Sequence, residues 1–310
     1  LLMEAYIMLL IQNGMTPTQV GRLTGTHDTR IWRVLQHYVD AARAKADFSE
    51  VRSLGVDETS RRRGHNYVTV FMDLDRARVL FATEGKDAAT VKAFKADLEA
   101  HGGEADQIKE VCLDMSAAFI KGLREEFPGA APTFDSFHVM QLLNKAVDEV
   151  RRQEQHDRPE LKRTRWVWLK NDWNRTEKEK RVFDQLRASG LETARATHLK
   201  SVFQDIFGEP DPVVAERFLK RWYFWATHSK LAPMIKAAKT IKAHWDGVLR
   251  WFRSRLTNAL LEATNGLIQA AKRRARGYRS TRYLITMVYL LGGKLDLELP
   301  QLRVAFAHTK

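Results

Sequence analysis

The sequence predicts an α/β protein: a mixed sheet laid down in the order β-β-β-α-β-α-β then helix, with a large all-helical insertion ahead of that last helix and a helical pair before the first strand. Three observations predict it. Short runs rich in β-branched and aromatic residues crowd the stretch from Ser53 to Asp135, strand-like runs vanish beyond Phe137 for more than a hundred residues, and residues 4–46 are helical in period.

The first region, 4–46, breaks at Asn13-Gly14 and again near Gly25-Thr26. Thr16-Pro17-Thr18 suits a helix start, because Thr16 can cap and Pro17 fits the first turn. Val20, Gly21, Leu23 and Gly25, followed by Ile31, Val34 and Leu35, are spaced for two short helices crossing at a small residue. That is helix-turn-helix spacing, which would place His27, Thr29, Arg30 and Arg33 where side chains reach a major groove. Any small helical hairpin gives the same pattern.

From Ser53 the period changes to that of strands. LGVDE, YVTVFMDLD and ARVLFATEG read as three strands joined by hairpins, with Arg61-Arg62-Arg63-Gly64-His65 in the turn after the first. Asp87 to His101 is an amphipathic helix with Val91, Phe94, Ala96 and Leu98 on its apolar side, closed by Gly102-Gly103. IKEVCLD is a buried strand, AAFIKGLREEF a helix ended by Pro128-Gly129, and APTFD a last strand. This succession is that of a ribonuclease-H-like core, antiparallel strands extended by parallel ones.

The insertion is charged, helical and punctuated at Pro159, Gly190, Gly208-Glu209-Pro210 and Pro233. It holds seven of the eight tryptophans: Trp166, Trp168, Trp173, Trp222, Trp225, Trp245 and Trp251. Their simplest role is the core of the insertion, the alternative being base-stacking platforms. The expected division is 1–50 helix-turn-helix, 51–140 first part of the catalytic core, 141–252 helical insertion, 253–295 the returning core helix and its follower, and 296–310 a tail.

Three carboxylates carry the chemistry. Asp57 and Asp114 each end a predicted strand, where ligand crevices of α/β sheets lie. Glu262 belongs to a polar stripe of Asn258, Glu262, Asn265 and Gln269, beside an apolar stripe of Leu256, Leu260, Ala263 and Leu267. Packed on the sheet by its leucines, that helix would aim Glu262 at the aspartates. Clustered carboxylates repel unless cations neutralise them, and hard oxygen ligands select Mg²⁺ or Mn²⁺. Two such ions, about 3.5 to 4 Å apart, serve in-line displacement at phosphorus. Taken singly, each acid also suits an ordinary strand end or surface.

Charge agrees with a polyanionic partner. Lys and Arg outnumber Asp and Glu by 51 to 38 in 310 residues, with net charges of 0, −3 and +16 over residues 1–50, 51–135 and 136–310. Candidate phosphate-holding clusters are Arg61-Arg62-Arg63, then Lys162, Arg163 and Arg165, then Lys272, Arg273, Arg274 and Arg276; solvated faces are the plain alternative. Cys112 is the single cysteine, so neither a disulfide framework nor a cysteine-rich zinc site is available. No run of 18 uncharged apolar residues exists and the N-terminus lacks a basic signal start, so a soluble, unexported, cytoplasmic protein with no membrane partner is expected. Opening on Leu1 within a helix, the chain is expected to be a fragment or alternative-start product.

The series LGVDETSRRRGHNYVTVFMDLD, VCLDMSAAFIKGLREEFPGA, FDSFHV, TRWVWLKN and RLTNALLEATNGLIQAAKRRARGYRS resembles the DDE transposases of bacterial insertion sequences, most closely the ISL-three group, from about Thr16 to Leu291. The resemblance implies that Asp57, Asp114 and Glu262 are the catalytic and metal-binding acids, with two Mg²⁺ (or Mn²⁺) as cofactors. It implies hydrolysis at element ends followed by attack of the freed 3′-hydroxyl on target double-stranded DNA, without a covalent protein intermediate. An oligomer of at least two copies would pair the ends on the nucleoid. FDSFHV resembles the D/C-x-x-H element of such families, making Asp135 and His138 accessory candidates beside Asn258 and Asn265; a satisfied histidine at a strand-to-helix junction is the other reading. Members of the group carry an upstream zinc ribbon, for which this chain has no cysteines, and Ala263-Thr264 replaces a Gly-containing step. The alternative function is a transposase-derived DNA-binding protein that occupies or regulates sites without cutting; a nuclease that cuts without joining is a third.

Overall fold

The computed structural model describes residues 2–62 and 66–300; Arg63, with the rest of 63–65, and residues 301–310 lie outside them. In chain order come α1 Leu2–Gln12, α2 Pro17–Thr24, α3 Asp28–Ala44, β1 Ser53–Arg62, β2 Asn66–Asp73, β3 Arg78–Glu84 and α4 Ala88–Ala100. They are followed by β4 Glu110–Leu113, α5 Ala117–Glu126, β5 Ala131–Phe134, α6 Ser136–Glu154, α7 Arg165–Leu169 and α8 Glu177–Arg187. The chain then runs through α9 Glu192–Phe207, α10 Pro212–Thr227, α11 Ala232–Ala243, α12 Trp245–Ser254, α13 Ala259–Arg274 and α14 Thr281–Gly292. Residues group into two compact units, 1–131 with 257–310, and 132–256.

The sheet is mixed, in the order β3-β2-β1-β4-β5. β1 pairs antiparallel with β2, β2 antiparallel with β3, and β1 parallel with β4, so the predicted succession of strand types holds. Val68, Val70, Phe71 and Met72 are buried in β2, which lies between β3 and the central strand β1. Phe71 stacks on Phe94 of α4 with centroids 4.4 Å apart, and Phe127 at the end of α5 closes on Phe94 at 5.8 Å. Of the apolar residues expected on α4, Val91, Phe94 and Leu98 are buried and Ala96 is exposed. A methyl group that small contributes little burial on a rim position.

At the N-terminus Thr16 and Gln19 form a reciprocal capping box at α2, as Thr16-Pro17 foretold. Gly21, within α2, faces the turn into α3: a Cβ there would stand 2.9 Å from the Thr26 carbonyl oxygen, so glycine is the residue that fits without a shift. α3 is held to the rest of its unit by Trp32, stacked on Tyr283 of α14 at 4.0 Å, and by Arg43, which pairs with Asp97 of α4 at 2.5 Å.

β1 corrects one expectation. It continues through Arg62, so Arg61 and Arg62 are strand residues rather than turn residues, and Asp57 stands mid-strand. Ser60 and Arg62 still find antiparallel partners on β2, Tyr67 and Asn66, which carries the strand past its apolar portion.

In the second unit Trp168 and Trp222 are fully buried. Each indole N–H is satisfied: Trp168 donates to Thr164 Oγ1 at 3.1 Å and Trp222 to the Leu199 carbonyl at 2.8 Å. The other tryptophans depart from the expected core. Trp166, Trp173 and Trp225 are 58%, 72% and 41% exposed, while Trp245 and Trp251 are half-buried. Trp166 sits on the one-turn α7 and Trp173 in the turn after it; elements that short cover only one side of an indole. Among the described residues no helix is long and apolar enough to cross a membrane.

Candidate active site

The site begins with an edge. Lys109 N donates to the Arg52 carbonyl at 2.9 Å, while Leu74 N donates to the Ser53 carbonyl at 3.0 Å. Even-numbered carbonyls of β1 therefore face β4 and odd-numbered ones face β2. The β4 ladder stops at Gly55↔Cys112 and the strand itself at Leu113, yet β1 runs on to Arg62. Beyond that level β1 would show carbonyls with no strand beside them, which a buried position does not tolerate.

α13 takes the place of the missing strand. Asn258 Nδ2 donates to the Val56 carbonyl at 3.1 Å; Gln269 Nε2 and Lys272 Nζ donate to the Ser60 carbonyl at 2.8 and 2.5 Å. On the odd-numbered face, Asn265 Nδ2 donates to Asp57 Oδ2 at 2.9 Å and Gln269 Nε2 to Thr59 Oγ1 at 2.7 Å. Four helical residues rise about 6 Å and two strand residues about 6.6 Å. Asn265 and Gln269 thus keep step with Asp57 and Thr59. Gly55 belongs to the same face: a Cβ there would meet Asn258 Oδ1 and Leu74 Cδ2, each at 2.8 Å.

This reverses the expected packing of α13. Leu260 and Leu267, predicted to face the sheet, are 48% and 59% exposed; Ala263 is exposed and Leu256, outside the helix, is half-buried. Leu261 and Ile268 are the buried residues, and the polar stripe faces β1. What α13 meets is a row of carbonyls and short polar side chains, so amides rather than leucines fit it.

Asp57, Asp114 and Glu262 all belong to the first unit and all are half-buried. The parallel register ends at Gly55↔Cys112, with Asp57 two residues further along β1 and Asp114 just past the end of β4, on the neighbouring chain segment. Asp114 opens the turn into α5, where Oδ1 accepts from Ser116 N at 2.9 Å. Glu262 lies in the first turn of α13, one turn after Asn258 and three residues before Asn265, both of which touch β1. The acids offer only oxygen, the donor type that Mg²⁺ and Mn²⁺ accept. Beside them Asn265 Oδ1 is buried with no hydrogen-bond partner among the described residues, an oxygen that a cation or its hydration water would satisfy. The donor chemistry fits a hard divalent ion, although among the described residues the ligand oxygens of these three acids do not all lie within 4.8 Å of one another.

The remaining candidates divide. His27, Thr29, Arg30 and Arg33 are exposed at the start of α3, where His27 Nδ1 caps the helix by accepting from Thr29 N at 3.3 Å. Arg61 is largely covered and pairs with Glu84 at 3.5 Å, whereas Arg62 is exposed. Lys272 and Arg274 donate to the chain's own carbonyls, Ser60 and Gly14 respectively, leaving Arg273 and Arg276 exposed. Burial, then the charge of Arg273, lowers the Lys272 ammonium.

In the second unit Asp135 is fully buried and caps α6, its Oδ1 accepting from Phe137 N at 2.7 Å. His138, on the first turn of α6, has Nδ1 buried with no partner among the described residues. Lys162, Arg163 and Arg165 are exposed, with Arg165 3.3 Å from Asp148.

Gly55 and Thr59 escaped the sequence reading. Their signal was alternation: both share a strand face with Asp57, at two residues before and after it.

Residues 54–288 match a family model described as Transposase, of the DDE type and the ISL-three group. The "Transposase for insertion sequence element IS1001" of Bordetella parapertussis is 29% identical over 263 residues, which cover 81% of this chain and 64% of that protein. The "Transposase for insertion sequence element IS1557" of Mycobacterium tuberculosis is 28% identical over 298 residues, 87% of this chain and 65% of that protein. The chain spans just under two thirds of the length of these curated relatives.

Proposed function

Since the chain belongs to the ISL-three family of DDE transposases, we propose that it cuts DNA at insertion-sequence ends and joins the freed 3′ ends to target DNA. The observation that carries this reading is the docking of α13 along β1, with Glu262 between two amide contacts to the strand that bears Asp57.

Asp57, Asp114 and Glu262 would hold two Mg²⁺ or Mn²⁺ ions, which when bound supply an activated nucleophile and offset charge on the leaving oxygen. Asn258 and Asn265 tie the helix of Glu262 to the strand of Asp57, which limits the movement the carboxylates would need when ions and DNA bind. In the first reaction a water oxygen bonds to phosphorus as the bond to the 3′ oxygen breaks, and that oxygen takes up a proton. In the second, the 3′-hydroxyl loses its proton, attacks a target phosphodiester and displaces another 3′ oxygen. Asp135 and His138 are kept as accessory groups.

The sheet order supports a ribonuclease-H-like core over 51–140 and 253–295, with 141–252 as the helical insertion. The exposed His27, Thr29, Arg30 and Arg33 at the start of α3, after a glycine-tight turn, support a helix-turn-helix in 1–50. The proposed partners are double-stranded element ends and target, met by at least two copies in the cytoplasm at the nucleoid.

Asp57→Asn, Asp114→Asn and Glu262→Gln, assayed with Mg²⁺ and DNA bearing element ends, should each abolish strand cleavage while DNA affinity stays within about twofold. Cleavage surviving all three changes defeats the proposal. A wild type that binds DNA without nicking, even with Mn²⁺, favours an occupying or regulatory protein instead, and cutting without joining favours a nuclease.

A further inference from the structure

The second unit contains a cavity of about 270 Å³ bordered by α7, α8 and α9, with Lys170, Arg175, Arg187, His198 and Lys200 in its wall. Lys200 is 2% exposed, and among the described residues no carboxylate pairs with it. Its ammonium donates to the carbonyls of Trp168 at 3.3 Å and Leu169 at 3.0 Å. Arg175, 9% exposed, donates through Nε to the Val167 carbonyl at 2.8 Å and through Nη1 to Asp172 Oδ1 at 3.1 Å, its guanidinium lying over Phe183. Among the described residues nothing accepts from Arg175 Nη2.

These contacts give the two cations a structural task, since they finish the C-terminal carbonyls of α7. That task does not account for their charge. Three carbonyls require three N–H donors, which neutral amides also supply, whereas a second buried cation beside the first costs free energy that carbonyl dipoles only partly offset. Burial, then the charge of Arg175, brings the Lys200 ammonium down to about 8. Around the wall Lys170 pairs with Glu179 and Arg175 with Asp172. Within the lining Lys200 and Arg187 remain against Asp205, with Asp184 acting on Arg175 from outside the lining, so the positive charge in excess belongs to the wall of this half-open space.

We infer that this cavity is a binding site for one phosphate group, held by Lys200 and the unused edge of the Arg175 guanidinium, with Arg187 at the rim. A guanidinium fork beside an ammonium suits tetrahedral oxyanions, and the cavity holds several times the volume of one water, about 30 Å³. The phosphate can come from a DNA backbone or from a free phosphate ester. The inference stands on this unit alone and does not depend on strand cleavage.

The test uses the full chain and inorganic phosphate, with chloride matched for ionic strength, and then a duplex oligonucleotide without element ends. In the wild type, phosphate at ten times its Kd should raise the thermal midpoint by roughly 2 °C. Lys200→Met should remove that rise. Arg187→Glu, an exposed change that leaves the buried contacts intact and so guards against misfolding, should weaken phosphate about tenfold. If both variants also weaken the oligonucleotide and lower its salt slope by about one phosphate, the occupant is a DNA backbone group. If only inorganic phosphate is affected, it is a free phosphate ester. A wild type indifferent to phosphate, or variants that bind both probes as the wild type does, overturns the inference.

Discussion

Asn258→Ala probes the contact that seats α13. The side chain is fully buried and donates to the carbonyl of Val56, itself 5% exposed, one residue past the last β1–β4 pair. Alanine leaves that carbonyl without its donor, which costs about 1–3 kcal/mol. No capping term adds to this, because the Asn258 side chain makes no cap hydrogen bond to α13. A loss of about 2 kcal/mol with a urea slope of about 3 kcal/mol/M moves the unfolding midpoint down by roughly 0.7 M. The larger effect should be on cleavage. Glu262 follows one turn later, about 6 Å along the helix, and a displacement of about 1 Å at a reacting group costs on the order of a hundredfold. Urea denaturation and a Mg²⁺-dependent nicking assay measure the two effects, with DNA affinity as control. An unchanged midpoint together with full nicking would refute the seating of α13 on β1.

Gly55→Ala should act from the strand side. Its Cβ would overlap Asn258 Oδ1 and Leu74 Cδ2, so a destabilisation of about 1–3 kcal/mol is expected with nicking reduced; wild-type behaviour in denaturation and nicking would mean both neighbours yield freely. Lys200 predicts a pH effect in the second unit. Its ammonium is held near 8 in the folded chain against an ordinary 10.5, so between those values the unfolded chain binds more protons and stability rises with pH. Wild-type stability relative to Lys200→Met should climb from pH 8 to 10.5, by about 3 kcal/mol at most, and a flat difference in denaturation midpoints rejects the effect.

Much of the first unit was legible because its elements are built on apolar periodicity. Val68, Val70, Phe71 and Met72 form a β-rich apolar run buried on both faces of β2, and Val91, Phe94 and Leu98 recur at helical spacing. The acids were found because Asp57 and Asp114 follow apolar runs and Glu262 shares a stripe with three amides. The length of β1 was not legible. Residues 58–62 are polar because α13 and β2, rather than an apolar layer, satisfy that part of the strand. The face of α13 was misjudged for the same reason: apolar periodicity predicts contact with an apolar surface, and Leu260 and Leu267 met none within the described chain. Trp166 and Trp173 show the limit of composition, since an indole in a one-turn helix or a turn has too few neighbours to be covered.

The most direct test of the central claim is anomalous diffraction from crystals soaked in Mn²⁺. Two peaks about 3.5 to 4 Å apart are expected among the carboxylates of Asp57, Asp114 and Glu262, with loss of at least one in Glu262→Gln. Manganese bound elsewhere, or peaks indifferent to that substitution, would contradict it.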